Sequence, residues 1–306
     1  MRNAFVKELI NLALNDKDVF LLVGDLGFGA VEGFENKFPD RFINMGICEQ
    51  NMISVASGMA FEGKKVFVYS IGNFSSLRCL EQIRNDCAYH NLNVNIISVG
   101  AGVSYGALGM SHHATEDVAA VRALPNMTII SPADAFESEA AAKLALSTPG
   151  PCYIRLSKNS LETLHNSKIE PIDLKKALKI FEGQDICILS TGSITFEAKK
   201  AIENLRKKGI NSALYSFPTI KPIDKETVMA CGKKYKYILS LEEHNILGGF
   251  GSAIAEILAC LPNSVTLKMM GIKDVYTSVV GDQDYLRKVY GISSLNIEKE
   301  ILNLLK

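Results

Sequence analysis

Apolar positions in this chain gather into short, nearly unbroken runs. VFLLVG (19–24), VFVYS (66–70), VNIISVG (94–100), MTIIS (127–131) and CYIRL (152–156) show little polar alternation. That is the pattern of strands buried on both faces of a parallel sheet covered by helices. Between them, residues 49–62 and 74–91 repeat apolar side chains at helical spacing. Asp134 followed by Glu137 reads as a capping box opening a further helix, which STPGP (147–151) ends. After CYIRL the periodicity is lost: SKNSLETLHNSKIEPIDLKKA (157–177) is polar, aperiodic and interrupted by proline, the composition of a linker. A second series then begins with DICILS (185–190), NSALYSF (211–217), KYILSL (236–241) and SVTLKM (264–269). The expected fold class is α/β, with two three-layer α/β/α domains in series over residues 1–165 and 178–306.

Composition narrows what such a molecule can do. Its 306 residues suffice for two cores, and no apolar run reaches the ~18 residues of a membrane span, so no membrane is expected. Lys plus Arg and Asp plus Glu both total 33. This balance leaves no net field for a phosphate backbone, and nucleic acid is not an expected partner. MRNAFVKELINLAL has an amphipathic pattern with Glu8 inside it, unlike a secretory signal, which places the expectation in the cytoplasm. Seven cysteines without a CxxC pair indicate neither a disulfide framework nor zinc, and are expected to be buried small hydrophobes.

In open α/β sheets ligands sit beyond the carboxyl ends of the strands, so the loops there are the places to look. GDLGFG (24–29) follows a strand, but its glycines do not fit GxGxxG; a tight turn and a ligand contact both stay open, with Asp25 the residue to watch. In INMGICEQNMISVASGMA (43–60), Glu49 opens a helix behind Met45, Ile47 and Met52. Burial raises a carboxyl pKa and a helix N-terminus lowers it, so Glu49 can be poised to share a proton with a ligand nitrogen; a solvated first-turn glutamate is the competing reading. GVSYGALGMSHHATEDVAAVRALPNM (102–127) carries His112 and His113 ahead of a helix capped by Thr115. Adjacent loop histidines point apart, which fits one catalytic or substrate-binding histidine better than a metal pair, with a surface histidine as the alternative. EEHNILGGFGS (242–252) admits a phosphate nest or close packing against the other domain.

In order and spacing, these segments resemble the second half of transketolase, its pyrimidine-binding and C-terminal domains, across essentially the whole chain. GICEQNMISVASGMA (46–60) is similar to the run around the family's cofactor glutamate. MRNAF, the GDL turn, YS...RCLEQIR (69–84), the loop through SHH, TEDV, YIRLSK (153–158), FPTIKPID (217–224) and EEHNILGGFG support it. The resemblance implies thiamine diphosphate as cofactor and gives Glu49 the role of the carboxyl group that hydrogen-bonds the aminopyrimidine N1′, so that the cofactor's own amine removes its C2 proton. It implies Phe74 as the aromatic face over that ring, Asp25 and Arg78 near the cofactor, and His112 beside the reacting carbon. Arg2 and Lys158 fall at the sugar's phosphate end, with Lys where Arg is usual, a point charge in place of a bidentate fork.

Departures from the family pattern carry information too. Leu108 stands where an acidic residue reads a sugar hydroxyl, Gly100 where a phosphate-contacting histidine is expected, and the GDLGFGA turn lacks the usual serine. These departures leave donor and acceptor open, with a sugar other than the ordinary pentose and hexose phosphates among the candidates. The GDG motif that holds the diphosphate through a divalent metal is absent from the chain, which offers no ligand set for a hard cation. The resemblance therefore implies an N-terminal transketolase subunit bringing the diphosphate site with Mg2+ or Ca2+, in an α2β2 assembly. Together the two chains would move a two-carbon ketol unit from a ketose donor to an aldose acceptor. A 2-oxoacid dehydrogenase E1 β-like subunit, a deoxyxylulose phosphate synthase-like enzyme and a non-catalytic relative remain open alternatives; EQN after Glu49 and TIKPID favour transketolase.

Overall fold

The computed structural model describes residues 1–158, 163–262 and 265–306. Its strands are β1 Val19–Val23, β2 Phe42–Asn44, β3 Lys65–Ile71, β4 Val94–Val99, β5 Thr128–Ile130, β6 Cys152–Leu156, β7 Leu178–Phe181, β8 Ile186–Ser190, β9 Ser212–Ser216, β10 Thr219–Lys221, β11 Tyr237–Asn245 and β12 Thr266–Ile272. One sheet runs β10-β5-β6-β4-β3-β1-β2, parallel except where β10 lies antiparallel to β5. The other runs β12-β11-β8-β9-β7, parallel except for β7 against β9.

The apolar runs become the central strands because both of their faces are covered. Leu21, Phe67, Ile97 and Ile154 pack with Phe5 and Leu9 of the helix Arg2–Asn15 and Ala141 of the helix Ala135–Ser147. Their neighbours Leu22, Val66, Val68 and Ile96 turn the other way, onto Met52, Ile53 and Ala56 of the helix Glu49–Phe61. Asp134 caps Ala135–Ser147 as its spacing predicts, accepting the Glu137 amide at 2.8 Å; Glu137 reaches back to the amide of Ala133.

Three expectations change. Residues 74–91 do not form one helix: a turn at Gly72–Ser75, a 3-10 turn at Leu77–Cys79 and a π-helical stretch at Ile83–Ala88 follow one another. The Ser75 and Ser76 hydroxyls donate to the carbonyls of Ile71 and Gly72, an alternative to regular helix that the serines supply themselves. Thr115 is not a cap; it is buried, its carbonyl accepts the Asn245 amide, and Glu116 precedes the helix Asp117–Arg122. Of the seven cysteines, all free, Cys48 and Cys260 are exposed.

The segment 157–177 contains residues 159–162, which lie outside the described ones, as does Ser264 at the head of SVTLKM. What is described of the segment is tied down. The Leu164 amide donates to Asp134 at 2.7 Å, His165 Nε2 lies 2.8 Å from Glu137 Oε1, and a 3-10 turn at Pro171–Lys175 buries Leu174.

Between the two sheets the joint is dry and charged at once. Phe217, Ile220 and Phe250 share one core with Val118, Leu124 and Ile129. Beside it, buried Arg155 donates to Asp117 at 2.8 Å and to the carbonyls of Ala114 and Glu243, while the Tyr153 hydroxyl donates to the same Asp117 oxygen at 2.7 Å. A buried ion pair survives only with such supporting hydrogen bonds. Among the described residues, no helix is long and apolar enough to cross a membrane.

Candidate active site

Adjacent strands of the first sheet deliver their carboxyl ends to one place. Gly24 and Asp25 follow β1, Glu49 follows β2, Ser70 is the penultimate residue of β3, Gly100 follows β4 and Lys158 follows β6.

Glu49 is the first residue of its helix, yet only 1% exposed, so the solvated reading fails. Ser70 Oγ donates to its Oε1 at 3.1 Å, and Arg78 Nη1 donates to its Oε2 at 2.6 Å. Gly24 lies against it: a Cβ there would make ordinary contact with Glu49 Oε1 at 3.4 Å. The buried carboxylate is thus charge-balanced by a guanidinium whose side chain is 41% exposed. That guanidinium lies 4.2 Å over the Phe74 ring, a cation–π contact.

From Phe74 the contacts continue. The His112 ring meets Phe74 edge-on at 5.1 Å between centroids and Tyr105 at 6.4 Å. Lys158 Nζ lies 4.9 Å over Tyr105. Asn73 Nδ2 donates to the carbonyl of Ser111, fastening the histidine loop to the turn that carries Phe74. Arg2 sits by Gly29 and beside the hydroxyl of buried Tyr69; burial raises the pKa of both Tyr69 and Tyr105, and the charge of Arg2 opposes the rise. Pairwise contacts thus link Glu49 to Arg78, Arg78 to Phe74, Phe74 to His112, and His112 through Tyr105 to Lys158, with Arg2 near Tyr69 and Tyr105. Asp25 stands apart, exposed, in the left-handed region at φ 54°; its carboxylate accepts from Asn44 Nδ2 at 3.0 Å and its amide donates to Asn44 Oδ1 at 3.1 Å. It braces the β1 turn against the approach to Glu49.

Sequence reasoning passed over Tyr105, although Gly100 was a signal for it. Gly100 has φ +98°, and a Cβ there would stand 2.2 Å from the Tyr105 ring. The small residue at 100 is therefore the space that the tyrosine fills. The histidine pair also separates: His112 faces the aromatic rings, whereas His113 is buried with Nδ1 2.5 Å from Thr277 Oγ1, and burial lowers its pKa.

Two other candidates are structural. In 242–252 the amides of Phe250 and Gly251 donate to Glu242 at 2.7 and 2.8 Å, and a Cβ on Gly248 would meet Ala119 Cβ at 2.9 Å. The helix end is filled by the chain's own carboxylate, which burial pushes up to about 7, and the glycines serve packing between the two units. Burial presses the neighbouring His244 down to about 4. Asp134, Glu137 and His165 have a metal-like spacing, with ligand atoms within 4.8 Å of one another. Protein donors already occupy both carboxylates, including the amides of Leu164 and Ala133 and the hydroxyl of Ser216. The trio is a clasp.

Comparison with known proteins identifies the family. Residues 1–163 match the family model described as "Transketolase, pyrimidine binding domain", and residues 175–297 match "Transketolase, C-terminal domain". A putative transketolase C-terminal section of Methanocaldococcus jannaschii is 36% identical over 308 residues, covering 100% of this chain and 96% of that protein. One of the subunits of an apulose-4-phosphate transketolase from Phocaeicola vulgatus is 33% identical, covering 100% and 97%. A solved split-gene transketolase, described as an inactive beta4 tetramer, superposes with a TM-score of 0.87 at 32% identity, covering 99% of this chain and 97% of that one.

Proposed function

This chain belongs to the transketolase family, and from that membership we propose that it is one subunit of a two-chain, thiamine diphosphate-dependent ketol transferase in which Glu49 meets the cofactor's aminopyrimidine. The observation that carries the reading is a carboxyl group 1% exposed at the strand ends, joined through Arg78 to the ring of Phe74. A buried carboxyl near an aromatic face suits a flat ring with one nitrogen to engage. When bound, the cofactor supplies a carbon nucleophile for breaking and making the ketol carbon–carbon bond. Glu49, with Ser70 fixing Oε1, would hydrogen-bond the pyrimidine nitrogen through Oε2, the oxygen that Arg78 engages here. Phe74 would offer that ring the aromatic face over which Arg78 lies here. His112, against Phe74, is placed to hydrogen-bond a substrate hydroxyl or carbonyl. Arg2 and Lys158, both near Tyr105, take the negative end of the sugar.

In this reading the diphosphate and its Mg2+ or Ca2+ belong to a companion subunit. The chain has no GDG. Phe28 in the β1 turn and Ile47 before Glu49 are each 77% exposed, and apolar side chains of that size beside a buried catalytic carboxyl suit a partner's surface. We assign the pair an α2β2 arrangement in the cytoplasm. Gly100, Tyr105 and Leu108 favour a ketose phosphate outside the ordinary series, in keeping with relatives named for apulose 4-phosphate.

Co-purification with a subunit containing GDG and a downstream Asn, followed by a ketose and aldose screen, tests the proposal. Glu49→Ala in that complex is expected to lower kcat by at least ~10²-fold, the loss of a proton-transfer partner. Activity equal to wild type would remove Glu49 from the chemistry.

A further inference from the structure

The loop that carries His112 is tied to its own sheet by backbone hydrogen bonds at its base. Gly100 and Ala101 donate their amides to Leu156, and Gly102 and Ala114 exchange amide–carbonyl bonds at 3.1 and 2.9 Å. Beyond that base, the first unit holds Ser111 through Asn73 and Ser104 through Ser157, and the second unit supplies the anchors at 102, 103, 106 and 113. The buried amide of Val103 donates to Glu243 Oε1 at 2.9 Å. Gly102, at φ +60°, is so close that a Cβ would stand 2.5 Å from Glu243 Cγ. Gln283 Nε2 donates to the same Oε1 at 2.8 Å and to Ser104 Oγ at 3.2 Å. A Cβ on Gly106 would meet the carbonyl oxygen of Gly281 at 2.3 Å, and His113 bonds Thr277. Glu243 is itself fixed, because Arg287 Nε donates to Oε2 at 2.6 Å and both side chains are 4% exposed. His112 bonds the adjacent Ser111 through Nδ1 and rests on Phe74 and Tyr105 by ring edges alone. Its place in the cleft therefore follows the loop.

We propose that Glu243 is a positioning residue for ketol transfer: Arg287 aims its carboxylate, the carboxylate anchors the Val103 amide, and the anchored loop presents His112 to the substrate. This rests on the reading of His112 given above. A charge-assisted bond to a buried amide is a strong, directional anchor, and an error of ~1 Å in a reacting group costs on the order of 10²-fold in rate. The second unit is then a template for the substrate side of the cleft as well as a partner in folding.

Hydrogen exchange on the chain alone tests the anchoring without reference to activity. Glu243→Ala is expected to speed exchange across residues 102–113 by about tenfold or more while β8 and β11 stay protected. Glu243→Gln, which keeps an acceptor for Val103 while losing the charge toward Arg287, should fall between, and it decides the matter if the alanine variant does not fold. In the two-chain complex, the same variants should lower kcat/KM for the sugar donor by about 10- to 100-fold, with thiamine diphosphate affinity held within about twofold. Unchanged exchange in 102–113 would overturn the proposal, and so would equal losses of sugar turnover and cofactor affinity. A wild-type complex without transferase activity would sink the functional reading instead, leaving exchange to decide whether Glu243 sets the loop.

Discussion

At the scale of single residues, the decisive fact is which way Glu49 points. Glu49, Met52, Ile53 and Ala56 recur at i, i+3, i+4 and i+7 and all are buried, so the carboxylate lies on the apolar face of its helix. That was written in the sequence, where a first-turn acid reads more readily as a solvated one. Arg78 as its counter-ion was not legible, because the path from β3 to residue 78 runs through short turns whose register no periodicity fixes. Gly100 shows the converse: a departure visible in sequence whose meaning, room for Tyr105, needed coordinates. Gly100→Ala adds both a left-handed φ and a 2.2 Å clash, and is expected to cost about 1–3 kcal/mol in urea unfolding and to raise the sugar KM. An unaltered unfolding midpoint would mean the tyrosine ring yields without cost.

Elements were legible in proportion to how fully they are buried. The five apolar runs of the first sheet announced themselves, whereas β2 and β7 are short and partly exposed, and β10 is a Thr-Ile-Lys tripeptide outside any apolar run. The stretch after β3 has helical spacing but breaks at Ser75 and Ser76, whose hydroxyls bind local carbonyls. The polar segment after β6 read as a plain linker because the partners of Leu164 and His165 lie at the far end of the chain's own capping box. That clasp should respond to pH. Burial alone would depress the pKa of His165, but the hydrogen bond and charge of Glu137 outweigh it, and the net shift is upward from 6.5. The folded state therefore holds the proton more tightly: the contribution is complete below the unfolded value and fades as pH rises through the folded one. A His165→Asn variant should trail wild type by about 1 kcal/mol near pH 5.5, with the thermal-unfolding gap closing toward pH 8.5. A gap that widens with alkalinity would contradict the assignment.

For the whole molecule, the architecture of two sheets could be anticipated, but their fastening could not. Nothing in the local pattern at 219–221 says that this tripeptide crosses to pair with β5, nor that the Asp117–Arg155 pair bonds carbonyls from both units. The surface beside Glu49 belongs to this scale as well. Phe28→Asp and Ile47→Asp are expected to change the stability of the chain by less than about 0.5 kcal/mol and to weaken its association with a diphosphate-binding subunit by at least about tenfold, as read by sedimentation. Undiminished association would place the contact on another face.

The crossing of β10 has an engineering consequence. A fragment stopping at residue 165 would leave β5 with a row of bare amides and carbonyls, the kind of border along which chains glue themselves together. Anyone grafting the first half onto another scaffold, or exchanging second halves between relatives to alter the sugar, must carry that small patch of border along, or supply a substitute for it.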